Sequence, residues 1–406
     1  MGRRTVAGSR YGSRVKIRYV LHNAYGTGGT IRTVFNQANA LCADHDVEIA
    51  SVYRGREVPA FDLDPRVRLV PLTDLQSGGT RRAKPGEQAK RRLMNKTRRF
   101  TNPLLHRHDF PFRRWDPVVD LTIIRYLRSA RDGILVTTRP ALNLLSARFA
   151  PKSLIRIGQD HMNLASYKPW LRDAIVKTYP RLDALTVLTE QDLRAWRTAL
   201  GETPLRLECI PNGIGPWPMP PAALDQKVII AAGRLGNQKG FDMLLDAFAI
   251  VSAKHPDWQL DIFGAGDWKD RLTAQIQTLG LIGKAHLRGV TTQLDKELVR
   301  ASIYVLSSRK EGLPMVLLEA MTAGLPPVAF DCPTGPKEVI SNGKDGLLIP
   351  PEDSAALAAG ICELIENPDR RQAMGAAAVQ TSARYSMPVV RAAWEELFAD
   401  LTAARA

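Results

Sequence analysis

The sequence predicts an α/β protein made of two doubly wound parallel-sheet domains facing each other across a cleft. Three observations carry this reading. Short, continuous apolar runs alternate with stretches of helical periodicity, the pattern of strands buried on both faces by crossover helices. Glycine-bearing turns follow several of those runs, as at 26–29, 233–240 and 264–266. Between the two series lies Pro211 to Pro221, too dense in proline and glycine for regular structure and read as the linker.

Composition bounds the rest. At 406 residues the length favours two or three domains, and an apolar fraction of 45% is ample for large cores. No apolar run reaches the roughly eighteen residues of a membrane span. The first residues carry charge with no apolar segment behind them, so residues 1–15 read as a flexible basic tail on a cytoplasmic protein. Cys42, Cys209, Cys332 and Cys362 are scattered, and neither they nor the histidines show metal-ligand spacing. The expectation is reduced core thiols and no metal site. The net charge of +15 is uneven: residues 81–131 hold fifteen Lys/Arg against four Asp/Glu, and residues 1–18 hold six basic residues and no acidic one. Such a field suits an anionic partner, either membrane headgroups at the inner face or an anionic acceptor. A plain solvated face is the alternative. No nucleic-acid-binding motif accompanies the charge, so nucleic acid is not an expected partner.

Taken in order, Lys16 to Leu21 reads as the first strand, followed by a glycine loop and a helix from Thr30 to Ala43. Gly26, Gly28 and Gly29 do not match G-x-G-x-x-G, and the second strand, Val47 to Val52, ends without the acidic residue that would hold a dinucleotide ribose. A dehydrogenase is therefore disfavoured. Val67 to Leu72 is a further strand, after which a basic insertion at about 74–115 interrupts the pattern. A helix over Val118 to Arg131 and strands at Gly133 to Thr137 and Leu154 to Ile157 follow. His161 stands just past the end of the latter strand, where open parallel sheets place their ligand sites. Asp160 is the alternative polar residue there. Ala184 to Leu188, a helix over Glu190 to Leu200 and Leu205 to Ile210 complete a first domain of 16–213, with the linker taken as 214–226.

A second domain, 227–384, opens with the apolar strand Val228 to Ala232 and a glycine-bounded loop to Gly240. Arg234 and Lys239 in that loop suit a diphosphate, the first by bidentate pairing and the second as a point charge. Two solvated surface cations are the alternative. Further strand–helix units begin at Gln259, which leads to the turn at Gly264, and at Ala285, which leads to Gly289 and Val290. Val299 to Ser307 delivers the next helix, its apolar run from Ile303 reading as a buried strand. Strands at Pro326 to Phe330 and Gly346 to Ile349 follow, then helices over Ser354 to Arg384 and a last helix from Pro388 to Ala403.

The stretch from Arg309 to Gly324 is the most informative. Glu311 lies in a strand-to-helix turn, Pro314 suits the first helical residue, and Leu317, Leu318 and Met321 recur at helical spacing. Glu319 then lies inside the helix. Eight residues of helix rise about 12 Å, so the two carboxylates grip opposite ends of an extended ligand rather than one atom. The N–H groups around Gly312 to Met315 favour an anion. A sugar nucleotide has the matching parts; a chance pair of glutamates on a surface helix is the alternative.

This stretch resembles the E-x7-E signature of retaining glycosyltransferases of family 4, group 1, which have the GT-B fold of two Rossmann-like domains. The loop at 233–240, the Pro211–Asn212–Gly213 hinge and the segment from Asp331 to Glu338 are also similar to family motifs. The resemblance is continuous over about 226–350, looser in the first domain and absent through 74–115. It implies transfer of a hexose-type sugar from a nucleotide-diphosphate sugar, UDP before GDP or ADP, with no obligatory metal or cofactor. It implies that Arg234 and Lys239 hold the departing diphosphate, that Glu319 holds the ribose, and that Glu311 holds a sugar hydroxyl. Gly312, Leu313, Pro314, Met315 and Val316 would line the donor, with Gly264 and Val290 towards the nucleotide. Gly28, Gly29 and His161 would complete the site from the first domain, and a terminal helix, 385–406, would cross back to that domain. The implied acceptor is a cell-surface glycan or glycopolymer, lipid-linked or anionic, with a small-molecule natural product second. An epimerase of the same fold and a non-catalytic protein binding anionic surfaces or nucleic acid are the rival readings.

Overall fold

A computed structural model of the chain describes residues 14–74 and 117–405. The tail before Arg14 and, apart from Asp74, the basic insertion expected at 74–115 lie outside the described residues. The described residues form two compact units, one running to Gly213 and resuming at Met387, the other Ile214–Ser386.

In the first unit β1 (Lys16–Leu21), β2 (Asp46–Arg54), β3 (Arg68–Asp74), β4 (Ile134–Thr137), β5 (Ile155–Gln159), β6 (Ala184–Val187) and β7 (Arg206–Cys209) form one sheet. Its order is β3-β2-β1-β4-β5-β6-β7, with every pairing parallel. Tyr19 pairs with Ile49 on one side and Val136 on the other, so β1 and β4 flank the point from which the chain winds both ways. The crossovers carry α1 (Gly29–Leu41), α2 (Pro117–Ser129), α3 (Pro140–Phe149), α4 (Pro169–Thr178) and α5 (Glu190–Leu200). The sequence reading contains neither α3 nor α4. Eight of the ten residues of α3 are buried, so it has no polar face to reveal a helical period. Thr189 begins α5 by accepting the Asp192 N–H at 3.1 Å.

In the second unit β8 (Val228–Ala232), β9 (Gln259–Phe263), β10 (Ala285–Gly289), β11 (Ile303–Leu306), β12 (Pro327–Phe330) and β13 (Leu347–Ile349) form a second parallel sheet. Its order, β10-β9-β8-β11-β12-β13, repeats the doubly wound arrangement, with the switch between β8 and β11. Helices α6 (Phe241–Lys254), α7 (Lys269–Thr278), α8 (Leu294–Val299), α9 (Met315–Thr322), α10 (Pro336–Val339), α11 (Ser354–Glu366) and α12 (Pro368–Ser382) cover it. Val299 ends a helix rather than opening the strand, which starts four residues later at Ile303. The core joins Leu244, Phe248 and Val251 of α6 to Leu260, Val305, Phe330 and Ile361. The proline-rich segment after Gly213 forms no regular element and is fastened to this unit. Ala222 N–H donates to the Ala323 carbonyl at 2.7 Å, and the buried Arg371 guanidinium caps the Leu224 carbonyl at 3.2 and 3.3 Å.

The last helix, α13 (Met387–Ala403), belongs to the first unit. Val390, Trp394, Leu397 and Phe398 share one core with Ile17, Val34, Phe35 and Leu41. Arg391 ties it down through Asp44 and is itself steadied by Glu395, one turn on in the same helix, at 2.8 Å. Among the described residues no helix is long and apolar enough to cross a membrane. Because the Trp394 side chain is fully buried, Trp394→Ala should destabilise the first unit by about 4 kcal/mol. Urea unfolding followed by circular dichroism should show that unit's transition moving to lower denaturant.

Candidate functional site

The loops at the C-terminal edge of the second sheet, which carry Arg234, Lys239, Gly264, Val290 and Glu311 among the expected residues, hold each other. After β8 the chain passes Gly233 and Arg234, makes a short 3-10 turn at Asn237–Lys239, and enters α6 through Gly240. Gly240 adopts φ +60, and a Cβ there would lie 2.0 Å from the Ser307 carbonyl oxygen. The first loop therefore rests on the end of β11, and only glycine fits. Ser307 Oγ returns a hydrogen bond to the Lys239 carbonyl at 3.0 Å. The Lys239 stem lies across Gly233, where a Cβ would meet its Cε at 2.9 Å. Its ammonium reaches Glu311 Oε1 at 2.6 Å, and Ser308 Oγ donates to the same oxygen at 2.6 Å. Glu311 is buried, at 6% exposure, and the Lys239 side chain is mostly so.

A second clamp lies outside this pair. Arg309 N–H donates to the Gln238 carbonyl at 2.9 Å, and its guanidinium spans both oxygens of Asp242 at 3.0 and 2.9 Å. Arg309 also binds the Asn237 carbonyl at 2.8 Å. Neither Arg309 nor Ser308 was singled out from the sequence. Ser308 stands three residues before Glu311, an S-x-x-E spacing that was available as a signal.

The loop carrying Glu311 is stitched on its other side to the segment after β12. Glu311 N–H donates to the Pro333 carbonyl at 2.7 Å, Thr334 N–H returns to the Glu311 carbonyl at 2.8 Å, and Gly335 N–H reaches Gly312 O at 2.8 Å. A Cβ on Gly335 would lie 2.0 Å from that Gly312 oxygen. Pro314 proves to be the N-cap of α9 rather than its first helical residue, a shift of one position within the usual variation of helix boundaries. The Pro314 carbonyl accepts from Leu317 and Leu318, at 3.1 and 3.3 Å, while Met315 and Val316 occupy the first turn, whose N–H groups have no carbonyl within the helix. Leu313 and Met315 are buried and Val316 half-buried. Glu319 is buried one turn further in, at 2% exposure.

Two more side chains feel these carboxylates. Tyr304 of β11 is fully buried with no hydrogen-bond partner for its hydroxyl among the described residues, and burial, then Glu311 and Glu319, raise its phenol far above its ordinary range. The Cys332 thiol is pushed up to about 12, by burial first and then by Glu311. Both stay protonated at neutral pH.

Arg234 is exposed and makes no ion pair among the described residues. Gly264, at φ +143, leaves no room for a Cβ, which would sit 1.8 Å from Gly233 O, and its N–H donates to Gly289 O at 2.7 Å. The three loops after β8, β9 and β10 are thereby joined. Val290 follows, exposed at 69%.

Gly28, Gly29 and His161 lie in the first unit. Gly28 caps α1 with φ −88, its carbonyl accepting from Ile31 and Arg32, both at 3.1 Å. A Cβ on Gly29 would meet nothing, and one on Gly28 only Ile31 Cδ1 at 3.9 Å. Among the described residues no packing contact requires these two glycines. After β5, Asp160 is committed to the loop: it accepts from Met162 N–H at 3.3 Å and from the Tyr167 hydroxyl. The His161 Nε2 is shut off from solvent without a hydrogen-bond partner among the described residues, and burial, then Arg139, push the imidazole down to about 3. It is a neutral ring at physiological pH.

The model of the family described as glycosyl transferases group 1 matches residues 220–381, a span that contains Arg234, Lys239, Glu311 and Glu319. An exopolysaccharide phosphotransferase of Streptomyces coelicolor is 35% identical over 392 residues, covering 96% of this chain; the chain spans only 41% of that relative's length. An amylovoran biosynthesis glycosyltransferase of Erwinia amylovora is 30% identical over 287 residues, 68% of this chain and 80% of that protein. The chain belongs to the group 1 glycosyl transferases. Among solved structures, a mutant of S. aureus TarM in complex with fondaparinux, α-GlcNAc-glycerol and UDP superposes with a TM-score of 0.76 at 17% identity. That match covers 95% of this chain and 99% of TarM. The fold of this group 1 member is accordingly the α/β GT-B fold with two parallel-sheet, Rossmann-like domains.

His161 offers a direct check. With its folded value depressed from 6.5 to about 3, the unfolded chain takes a proton that the folded one refuses. Stability from this group is full above pH 6.5 and declines as pH falls towards 3. Its ring resonances should not titrate between pH 8 and 5 in NMR spectra; a midpoint near 6.5 would show a solvated ring.

Proposed function

We propose that the chain is a retaining glycosyltransferase of family 4 that moves a hexose-type sugar from UDP-sugar to a hydroxyl of a cell-surface glycan or glycopolymer. The observation that carries this is the Lys239–Glu311 pair, 2.6 Å apart at the β8/β11 switch of the second sheet and beside the start of α9. Arg234, exposed and without an ion pair among the described residues, takes the diphosphate, with Lys239 adding charge from the floor of the loop. Together they stabilise the charge that grows on the leaving group, a type of interaction that commonly dominates catalysis. Glu311 holds a sugar hydroxyl, Glu319 the ribose diol, and the N–H groups at the start of α9 the remaining anionic oxygens. Gly264 and Val290 line the nucleotide end. His161, as a neutral ring, and the Gly28–Gly29 backbone serve the sugar and phosphate from the first unit.

In the retaining step the acceptor oxygen bonds to the anomeric carbon on the face from which the diphosphate oxygen departs. The acceptor's proton passes to the departing phosphate. With two cations supplying the positive charge, activity should survive chelation. UDP is favoured by the ligand named in the TarM complex, and a polymer acceptor by the names of the Streptomyces and Erwinia relatives. The basic run at 81–131 would bring the enzyme to an anionic polymer or to the inner membrane face. The Streptomyces relative's name favours a second reading, transfer of a phosphate-bearing group, and the product's mass separates the two.

Calorimetric titration with UDP, GDP, ADP and NADH tests the donor half. One nucleoside diphosphate should bind, and Glu319→Gln should weaken it by about 1.5–3 kcal/mol, the loss of a charged hydrogen bond. Arg234→Ala should lower turnover by about two orders of magnitude, roughly 3 kcal/mol of transition-state stabilisation. Binding of NADH alone, or wild-type turnover in Arg234→Ala, would overturn the assignment.

A further inference from the structure

At the far end of α6 from the Lys239 loop, three potential ligands that are dispersed in sequence come together. His255 caps the C-terminus of α6, its N–H bonded to the Val251 carbonyl at 2.8 Å. Helix α11 packs against α6 and presents Cys362 and Glu366, four residues apart and therefore on one face. One ligand atom from each of His255, Cys362 and Glu366 lies within 4.8 Å of the other two, the one such group of three among the described residues.

The chemistry of the set is specific. Imidazole nitrogen, thiolate sulfur and carboxylate oxygen are the ligands zinc takes, in a tetrahedron with the fourth position left for water. His255 Nε2 and Glu366 Oε1 are 3.1 Å apart, close to the separation of about 3.4 Å between nitrogen and oxygen ligands on one zinc ion. All three ligand atoms lie within 4.8 Å of one another, so the sulfur needs to move by at most about 1.2 Å to reach the separation of about 3.6 Å between sulfur and nitrogen or oxygen ligands on one zinc ion. Cys362 is buried at 5% exposure while Glu366 is open to solvent, so an ion would have a packed inner side and an entry path. Burial raises the thiol, with Glu366 adding to the shift and the Lys254 ammonium opposing it. A bound cation would deprotonate it.

We propose that His255, Cys362 and Glu366 form a binding site for a zinc-class divalent cation that staples the C-terminal end of α6 to that of α11. The site is structural. It lies at the opposite end of α6 from the loop that carries Lys239, so its loading sets the stability of the second unit rather than the chemistry at the sheet edge.

The test is titration of the full chain, free of any purification tag, with Co2+ and then Zn2+. Wild type should bind one Co2+ with a thiolate-to-metal charge-transfer band in the near ultraviolet. Zn2+ should displace it and raise the thermal midpoint. Cys362→Ser should lose the band, and His255→Gln, which keeps a hydrogen bond to Glu366, should weaken Zn2+ binding by roughly tenfold or more. A band that persists in Cys362→Ser, or undiminished Zn2+ affinity in His255→Gln, would overturn the proposal. So would a wild-type chain that takes up no metal at tens of micromolar. The two variants are independent, so a folding defect in one leaves the other to decide.

Discussion

The backbone of Gly240 sits against the Ser307 carbonyl with no space for a Cβ, 2.0 Å from that oxygen, and the arrangement of the second sheet's edge follows from that contact. It presses the β8–α6 loop onto the end of β11, which puts the Lys239 ammonium within 2.6 Å of Glu311. A largely buried pair of this kind is poor evidence of stability, because desolvation offsets most of the attraction. Its consequence is order. Removing either partner strands a charge, so each side chain holds the other in place, and Ser308 and the Arg309–Asp242 clamp keep the two loops from parting. Gly335 plays the same part against Gly312 on the other side of Glu311. The loops at the second sheet's edge are thereby held to one another by contacts within the chain itself.

The first unit offers different physics. Its polar contribution is a ring kept neutral by burial, His161, next to a carboxylate, Asp160, already committed to its own loop. Its glycines at the start of α1 border open space rather than crowded backbone.

Much of this was legible in the sequence. Strand β8 and helix α5 are readable to the residue, because an apolar run buried on both faces and a capped helix start leave local signals. The residues proposed to carry the site, Arg234, Lys239, Glu311 and Glu319, stand in loops and a helix whose glycines and prolines mark the turns. The largely buried α3 was not legible, since a helix with eight of its ten residues out of solvent shows almost no amphipathic period. Tyr304 was read as strand core, which it is, but its nearness to two carboxylates belongs to the fold. The pairing of His255 with Cys362 and Glu366 was equally hidden, because 107 positions separate His255 from Cys362.

The sequence by itself determined the α/β class, the two domains' worth of alternating elements and the identity of the charged residues at the second sheet's edge. These depend on short-range patterns of hydrophobicity and turn chemistry. Only the tertiary structure decided that Lys239 is spent on Glu311 while Arg234 stays exposed, and that Asp160 rather than His161 serves its own loop. Each of these depends on distances across the chain, set by close backbone approach and burial, which no local pattern records.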